Sequence, residues 1–219
     1  MYQINNLTKI YKSSGMETKA LDHINLNIPD NKFIIILGES GSGKTTLLNM
    51  LGGLDNPTEG KIITNGKNIV ELSDEQLAQY RRQKIGFIFQ HFNLLPTLTV
   101  YENIILPIVL DKKDEDKNYI LELLKKLGIL DKKDSYPNQL SGGQQQRVAI
   151  ARAFANKPEV ILADEPTGNL DSKTGQDVVE LLLEMQKIYT QTIVMITHNE
   201  KIAQYADIII KIKDGKIQE

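Results

Sequence analysis

The 219 residues include no cysteine, no tryptophan and only five phenylalanines, and the charges nearly cancel. Without cysteine the chain has no disulfide framework, no thiol nucleophile and no Cys-ligated zinc or iron–sulfur centre. The 26 Lys and Arg stand against 28 Asp and Glu, a formal net charge of -2, which supplies no global attraction to nucleic acid or to an anionic membrane. Long apolar runs are missing too. The run Phe33–Leu37 falls far short of the roughly 18 residues that span a bilayer. Met1-Tyr2-Gln3-Ile4-Asn5-Asn6 lacks the basic start and apolar centre of a secretory signal. These absences predict a soluble, cytosolic chain. What remains, 41% hydrophobic and 25% charged, is ordinary globular composition, and the length suits one domain with a sizeable core and room for a subdomain.

Residues 2–37 read as β-rich: Leu21, Ile24, Leu26 and Ile28 fit a strand, and Phe33–Leu37 is the continuous apolar run of a buried one. Asn65-Gly66 between short apolar segments predicts a hairpin over 61–69. Ser73 is placed to cap a polar helix running toward Arg82. Ile120, Leu123, Leu124 and Leu127 recur at helical spacing and stop at Gly128. The charged stretch Asp111–Lys117 before them reads as a solvated face. A further helix is expected from near Gly143, through Val148 and Ile150 to Ala153. Strands at 160–163 and 193–196 then alternate with a helix over 178–188, and Asp214-Gly215 turns a final hairpin. Alternating βα units with fully apolar strands predict an α/β fold with a mostly parallel sheet covered by helices.

Gly38-Glu39-Ser40-Gly41-Ser42-Gly43-Lys44-Thr45 follows the buried strand and precedes the helical pattern of Thr46-Leu47-Leu48. That is the strand–loop–helix context a G-x-x-x-x-G-K-[ST] phosphate loop requires. Gly41 and Gly43 let backbone N–H groups wrap phosphate oxygens beside a helix N-terminus. Lys44 brings a mobile charge for the β and γ phosphates, and the Thr45 hydroxyl suits Mg²⁺, which keeps most of its waters. The candidate nucleotide site is thus Gly38, Ser40, Gly41, Ser42, Gly43, Lys44, Thr45 and Thr46. The strand Val160–Ala163 ends in two carboxylates. Asp164 is suited to hold the magnesium through water, and Glu165 to polarise an attacking water as general base.

Leu140-Ser141-Gly142-Gly143-Gln144 is a second glycine-led helix start, with free N–H groups, a serine hydroxyl and a helix dipole: another anion site. With this segment the chain resembles the ABC-type ATPases, whose signature motif reads as residues 140–144 do, and the resemblance covers essentially the whole chain. It is most similar to the ATPases of macrolide-efflux, lipoprotein-release and antimicrobial-peptide-resistance transporters. The supporting segments are 92–103, 144–153 and 162–171. The resemblance implies a P-loop NTPase (RecA-like) core, with antiparallel β over 1–35 and 58–72, core over 36–57, 73–90 and 150–219, and a helical subdomain over 91–149 that carries the signature.

The same resemblance implies roles. Tyr11 stacks on adenine, and Gln90, ending the strand 86–89, touches Mg²⁺ and the nucleophilic water. Asp171 lies in a dimer-contact loop, and His198 senses the γ-phosphate. Lys44, Gln90, Glu165 and His198 form the catalytic set, with Thr45, Gln90 and Asp164 toward the metal and Ser141, Gly142, Gly143 and Gln144 toward the nucleotide of a partner.

The cofactors implied are ATP and Mg²⁺, and the partners a second copy of the chain, head to tail, and an integral membrane permease subunit. That subunit would hold the chain at the inner face of the cell membrane, docking beside Gln90 and residues 91–102. Nucleic acid is not expected as a partner. The implied function is ATP-driven conformational change for export or extraction of a lipophilic, peptide or antibiotic-like substrate, or for mechanical signalling. The alternative is a cell-division ATPase that regulates wall hydrolysis through a membrane partner. The chain stops soon after the last hairpin, so regulation is expected in a partner.

Overall fold

The computed structural model describes residues 1–13 and 15–218, in two units: Met1–Arg81 with Thr192–Glu219, and Arg82–Gln191. In the first unit, β1 (Tyr2–Ser13) and β2 (Met16–Ile28) pair antiparallel over their whole length, Tyr2 opposite Ile28 and Ser13 opposite Met16. The register slips between Ile4 and Leu7, where Asn6 takes a φ of 48°. The slip brings Leu7 inward beside Ile4, both fully buried.

Next come β3 (Phe33–Leu37), every residue buried, and α1 (Lys44–Leu51). The hairpin expected at Asn65-Gly66 joins β4 (Glu59–Thr64) to β5 (Lys67–Asn68). β4 pairs with β1, giving an antiparallel sheet in the order β2-β1-β4-β5. α2 (Asp74–Lys84) starts at Ser73, whose Oγ accepts the Gln76 N–H at 3.3 Å while Gln76 Oε1 accepts the Ser73 N–H at 2.9 Å.

The second unit holds one parallel strand pair and four complete α-helices. β6 (Ile85–Ile88) runs toward Gln90 and is followed by α3 (Val100–Leu110), which sequence periodicity did not announce. Thr99 and Glu102 close a capping box at its start. Inside it the fully buried Asn103 amide donates to the carbonyls of Leu95, Leu98 and Thr99 and accepts the Leu95 N–H, so the 95–99 turn is fixed from within the helix.

α4 (Lys117–Lys126) presents Ile120, Leu123 and Leu124 to the interior, as its spacing requires, and Asp116 caps it. α5 (Gly142–Phe154) follows the signature segment. β7 (Val160–Asp164) pairs in parallel with β6, Ile88 beside Ala163. α6 (Ser172–Tyr189) begins six residues before the apolar periodicity at Val178, because Asp171 accepts the N–H groups of Lys173 and Thr174 and holds a polar first turn.

The chain then returns to the first unit. β8 (Thr192–Thr197) and β9 (Ile208–Lys213) flank β3 in parallel, and β10 (Lys216–Gln218) folds back on β9 through Asp214-Gly215. The parallel strands and covering helices match the α/β class expected from the alternating pattern.

Three local expectations need correction. Phe33–Ile35, assigned by sequence to the antiparallel part, pair in parallel with β8 and β9, since an unbroken apolar strand needs both faces covered. Gln90 lies two residues beyond β6 instead of ending it. Asp111 is not part of a solvated face. Its side chain is 4% exposed, with Lys113 at 2.7 Å, Gln83 at 3.0 Å and Arg82 at 3.7 Å. Burial pushes its pKa up, but the Lys113 and Gln83 contacts outweigh that and hold it below the usual 3.8. No helix among the described residues is long and apolar enough to cross a membrane.

Candidate functional site

In the first unit the phosphate loop is set by strand register. Parallel pairing places Leu37 beside Thr197 on one side and Lys211 on the other, so Gly38 and His198 leave adjacent strand ends together. His198 is exposed, and shares a cleft of about 400 Å³ with Gly38, Glu39 and Lys211.

The loop is tightly seated. The Gly43 φ is 104°, and a Cβ there would meet the Ala20 carbonyl oxygen at 2.3 Å, so only glycine fits. Lys44 is 5% exposed, and its ammonium donates to the carbonyls of Gly38 at 2.8 Å and Glu39 at 2.7 Å. That spends two of three donors on shaping the loop and directs the charge along its rim. The Ser42 hydroxyl is buried without a hydrogen-bond partner.

As N-cap of α1, Gly43 has no side chain to offer the first-turn N–H groups. A helix start whose cap brings no side chain, an ammonium beside it and an orphaned hydroxyl are what a polyphosphate would satisfy. Among the described residues no group of three or more His, Cys, Asp or Glu could hold a metal. The Thr45 hydroxyl, exposed at the start of α1, is a hard oxygen donor of the kind Mg²⁺ takes together with phosphate and water oxygens, and Mg²⁺ there would supply charge neutralisation. Ser40, Gly41 and Thr45 lie exposed along the loop and the start of α1.

Tyr11 comes near the same helix: its hydroxyl interacts with Thr46 and donates to Asp55 at 2.7 Å. Burial and the Asp55 carboxylate raise its pKa above the usual 10, against the opposing Thr46 contact.

The second unit holds the remaining candidates. Parallel pairing sets the ends of β6 and β7 side by side, so the 89–91 segment and the Asp164-Glu165 pair emerge together. Glu165 itself has a φ of 44°, a left-handed conformation that turns the chain sharply off the strand. Three residues on, Gly168 lies against Gln90: a Cβ would meet Gln90 Nε2 at 2.9 Å. Asn169 Nδ2 reaches the Gln90 carbonyl at 2.9 Å and His91 Nδ1 at 3.1 Å. Loop 165–169 therefore grips Gln90 from the backbone and from a side chain. Asp171 serves as the cap of α6, where hydrogen bonds from Thr174 and Lys173 depress its pKa.

Ser141 caps α5 reciprocally. Its Oγ accepts the Gln144 N–H at 3.3 Å, and Gln144 Oε1 accepts the Ser141 N–H at 2.9 Å. Gly143 packs so closely that a Cβ would lie 2.8 Å from Thr174 Cγ2, whereas at Gly142 the nearest atoms are 3.6 Å away or more. From the other end of α5, Arg152 donates to the Phe92 and Asn93 carbonyls at 2.9 and 2.6 Å. Burial lowers its pKa. Arg152 and Asn169 thus pin residues 90–93, a function neither displays in sequence. A lone arginine among Val148, Ala149, Ile150 and Ala153 was the available signal. Beside this pinned segment is a cavity of about 390 Å³ lined by His91, Phe92, Leu94, Pro96, Asn138 and Asn169.

The sequence pattern described as ABC transporter matches residues 21–168. An uncharacterized ABC transporter ATP-binding protein of Methanocaldococcus jannaschii is 46% identical over 224 residues, spanning 100% of this chain and 95% of that protein. The macrolide export ATP-binding/permease protein of Hyphomonas neptunium is 46% identical over 219 residues, 99% of this chain but 34% of that longer relative. Among solved structures, an ATP-binding cassette in a dimeric post-hydrolysis state, bound to ADP and Pi, matches at a TM-score of 0.91 and 44% identity, covering 100% of this chain and 97% of that one.

Proposed function

This chain belongs to the family of ABC transporter ATP-binding proteins, and on that premise we propose that it hydrolyses ATP as one half of a head-to-tail homodimer that drives a separate membrane subunit. The observation that carries this reading is the pair of glycine-led helix starts in one chain, Gly43-Lys44 and Ser141-Gly142-Gly143. One phosphate loop needs a single such start. A second, differently built one suits the nucleotide of a partner copy, and reciprocal exchange about a two-fold axis closes the assembly.

In this reading Gly38, Ser40, Gly41, Ser42, Gly43 and Lys44 bind the phosphates, with Thr45 and Asp164 toward Mg²⁺ and Thr46 beside the nucleotide. Tyr11 takes the adenine. Gln90 and Glu165 orient and deprotonate the attacking water, and His198 contacts the γ-phosphate. Ser141, Gly142, Gly143 and Gln144, with Asp171, face the partner's nucleotide. Loss of the γ-phosphate removes the bridge and the dimer opens.

The cavity along His91–Pro96 is our choice for the membrane subunit's docking site, which would keep the chain at the inner membrane face. Export or extraction of a lipophilic, peptide or antibiotic-like substrate is the cargo reading, supported by the similarity to a macrolide export protein. Glu165→Gln should give slow turnover and an ATP-dependent dimer visible by light scattering. Vigorous hydrolysis, or a monomer with saturating ATP, would overturn the assignment. Lys44→Ala should abolish ATP binding and with it the dimer.

A further inference from the structure

Tyr11 is a surface aromatic that is nonetheless held at two points. It is 41% exposed, yet its hydroxyl donates to Asp55 Oδ2 at 2.7 Å. The Lys9 ammonium lies over its ring, 4.8 Å from the centroid. Lys9 is itself fixed, donating to Asp55 Oδ1 at 2.7 Å and to the Asn56 carbonyl at 2.6 Å, with its side chain only 13% exposed. The loop carrying Asp55 is laced to β1 by Thr58, whose N–H donates to the Thr8 carbonyl and whose Oγ1 accepts the Ile10 N–H.

A tyrosine packing a core would be buried, and an idle surface tyrosine would swing freely. This one has its hydroxyl fixed and one face occupied by a cation, which leaves the other face for a planar group. We propose that Lys9 and Asp55 are positioning residues that pre-set the Tyr11 ring to receive a nucleobase on its open face. The proposal rests on the reading of Tyr11 as the adenine contact. The raised Tyr11 pKa agrees with it, because the hydroxyl stays a donor to Asp55 at neutral pH. Holding the ring in advance removes an ordering cost from binding, and the gain goes to the base, not to the phosphates.

The test is a comparison of dissociation constants for ATP and for inorganic tripolyphosphate, the latter by competition. It uses the native chain, Tyr11→Ala, Tyr11→Phe, Asp55→Ala and the double variant Tyr11→Phe/Asp55→Ala. Tyr11→Phe and Asp55→Ala both break the bond between the hydroxyl and the carboxylate, the first also losing the Thr46 contact and the second also freeing Lys9, and each should weaken ATP by about three- to tenfold, the factor for ordering one more side chain. The double variant should lose clearly less than the sum of the two singles, because they share the Tyr11–Asp55 bond. Tripolyphosphate should bind all of them as it binds the native chain. Additive losses, native affinity in both single variants, or equal weakening of tripolyphosphate would each overturn the positioning role. If Tyr11→Ala keeps native ATP affinity, it is the adenine reading itself that fails.

Discussion

Each unit carries one glycine-led helix start, and the two are built on opposite principles. At α1 the cap is Gly43 in the left-handed region, with no side chain to offer, and its neighbours Ser42 and Lys44 are buried. At α5 the cap is Ser141, exposed, and its hydroxyl and the Gln144 amide satisfy each other's backbone N–H groups. The first is a helix start without a side-chain cap, at a position whose backbone admits no side chain. The second is a finished helix end, stable as it stands, that presents a small-residue surface. The residue at the cap decides whether a helix end is held together by its own side chains or has none to offer its first turn.

The widest separation between the two should appear on adding one methyl group to each. Gly43→Ala forces alanine to a φ of 104° and its Cβ onto the Ala20 carbonyl. The conformation costs roughly 1–2 kcal/mol and the clash about 1–3 more. Urea unfolding should show that loss, together with lost ATP binding. Gly142→Ala, with helical backbone and 3.6 Å of clearance, should unfold at the native midpoint or slightly above it. Equal destabilisation by both would erase the contrast.

A smaller effect is expected at the hydroxyls. Ser141→Ala removes a reciprocal cap and should cost about 1 kcal/mol. Ser42→Ala removes a buried hydroxyl that has no partner and should leave stability without nucleotide unchanged or raised, while ATP affinity falls. Destabilisation by Ser42→Ala comparable to that of Ser141→Ala would show the loop hydroxyl to be structurally employed.

The smallest effect lies in acid. Asp22, in the first unit, is hydrogen-bonded by His23, Lys19 and Lys216, and its pKa falls well below 3.8. Asp111, in the second, is also held below that value, Lys113 and Gln83 overcoming its burial. A carboxyl whose folded pKa is depressed contributes stability above its unfolded value, and loses it as the pH falls through the folded one. Stability from both should therefore be flat above about pH 5 and decline below about pH 4. Asp22→Asn or Asp111→Asn should flatten that decline in a pH series of thermal melts, and an unaltered acid limb would contradict the assignment.

Much of the fold was legible because its signals are local. The unbroken apolar run Phe33–Leu37, the Asn65-Gly66 and Asp214-Gly215 turns and the 3.6-residue spacing of α4 each lie within a dozen residues. α3 was not legible. It is apolar nearly all round, contains Pro107, and is started by a capping box at Thr99 and Glu102 that periodicity does not register. The helical start of α6 was missed because its first turn is polar and stabilised by Asp171 instead of by packing.

By itself the sequence determined the phosphate loop, the Asp164-Glu165 strand end, the signature segment and, through them, the family. Those features are contiguous stretches whose residue types follow from what backbone donors, an ammonium and carboxylates do with phosphate. The tertiary structure alone decided that Asp111 would be enclosed, that Asp55 would hold Tyr11 from 44 residues away, and that Arg152 would grip the Phe92 and Asn93 carbonyls from about 60. Such contacts join one polar side chain to a distant atom, and a lone Lys, Asp or Arg reads alike in sequence whether it meets solvent or a partner. Burial withdraws the water that would otherwise serve as partner, and only the folded chain shows which polar groups it has enclosed together.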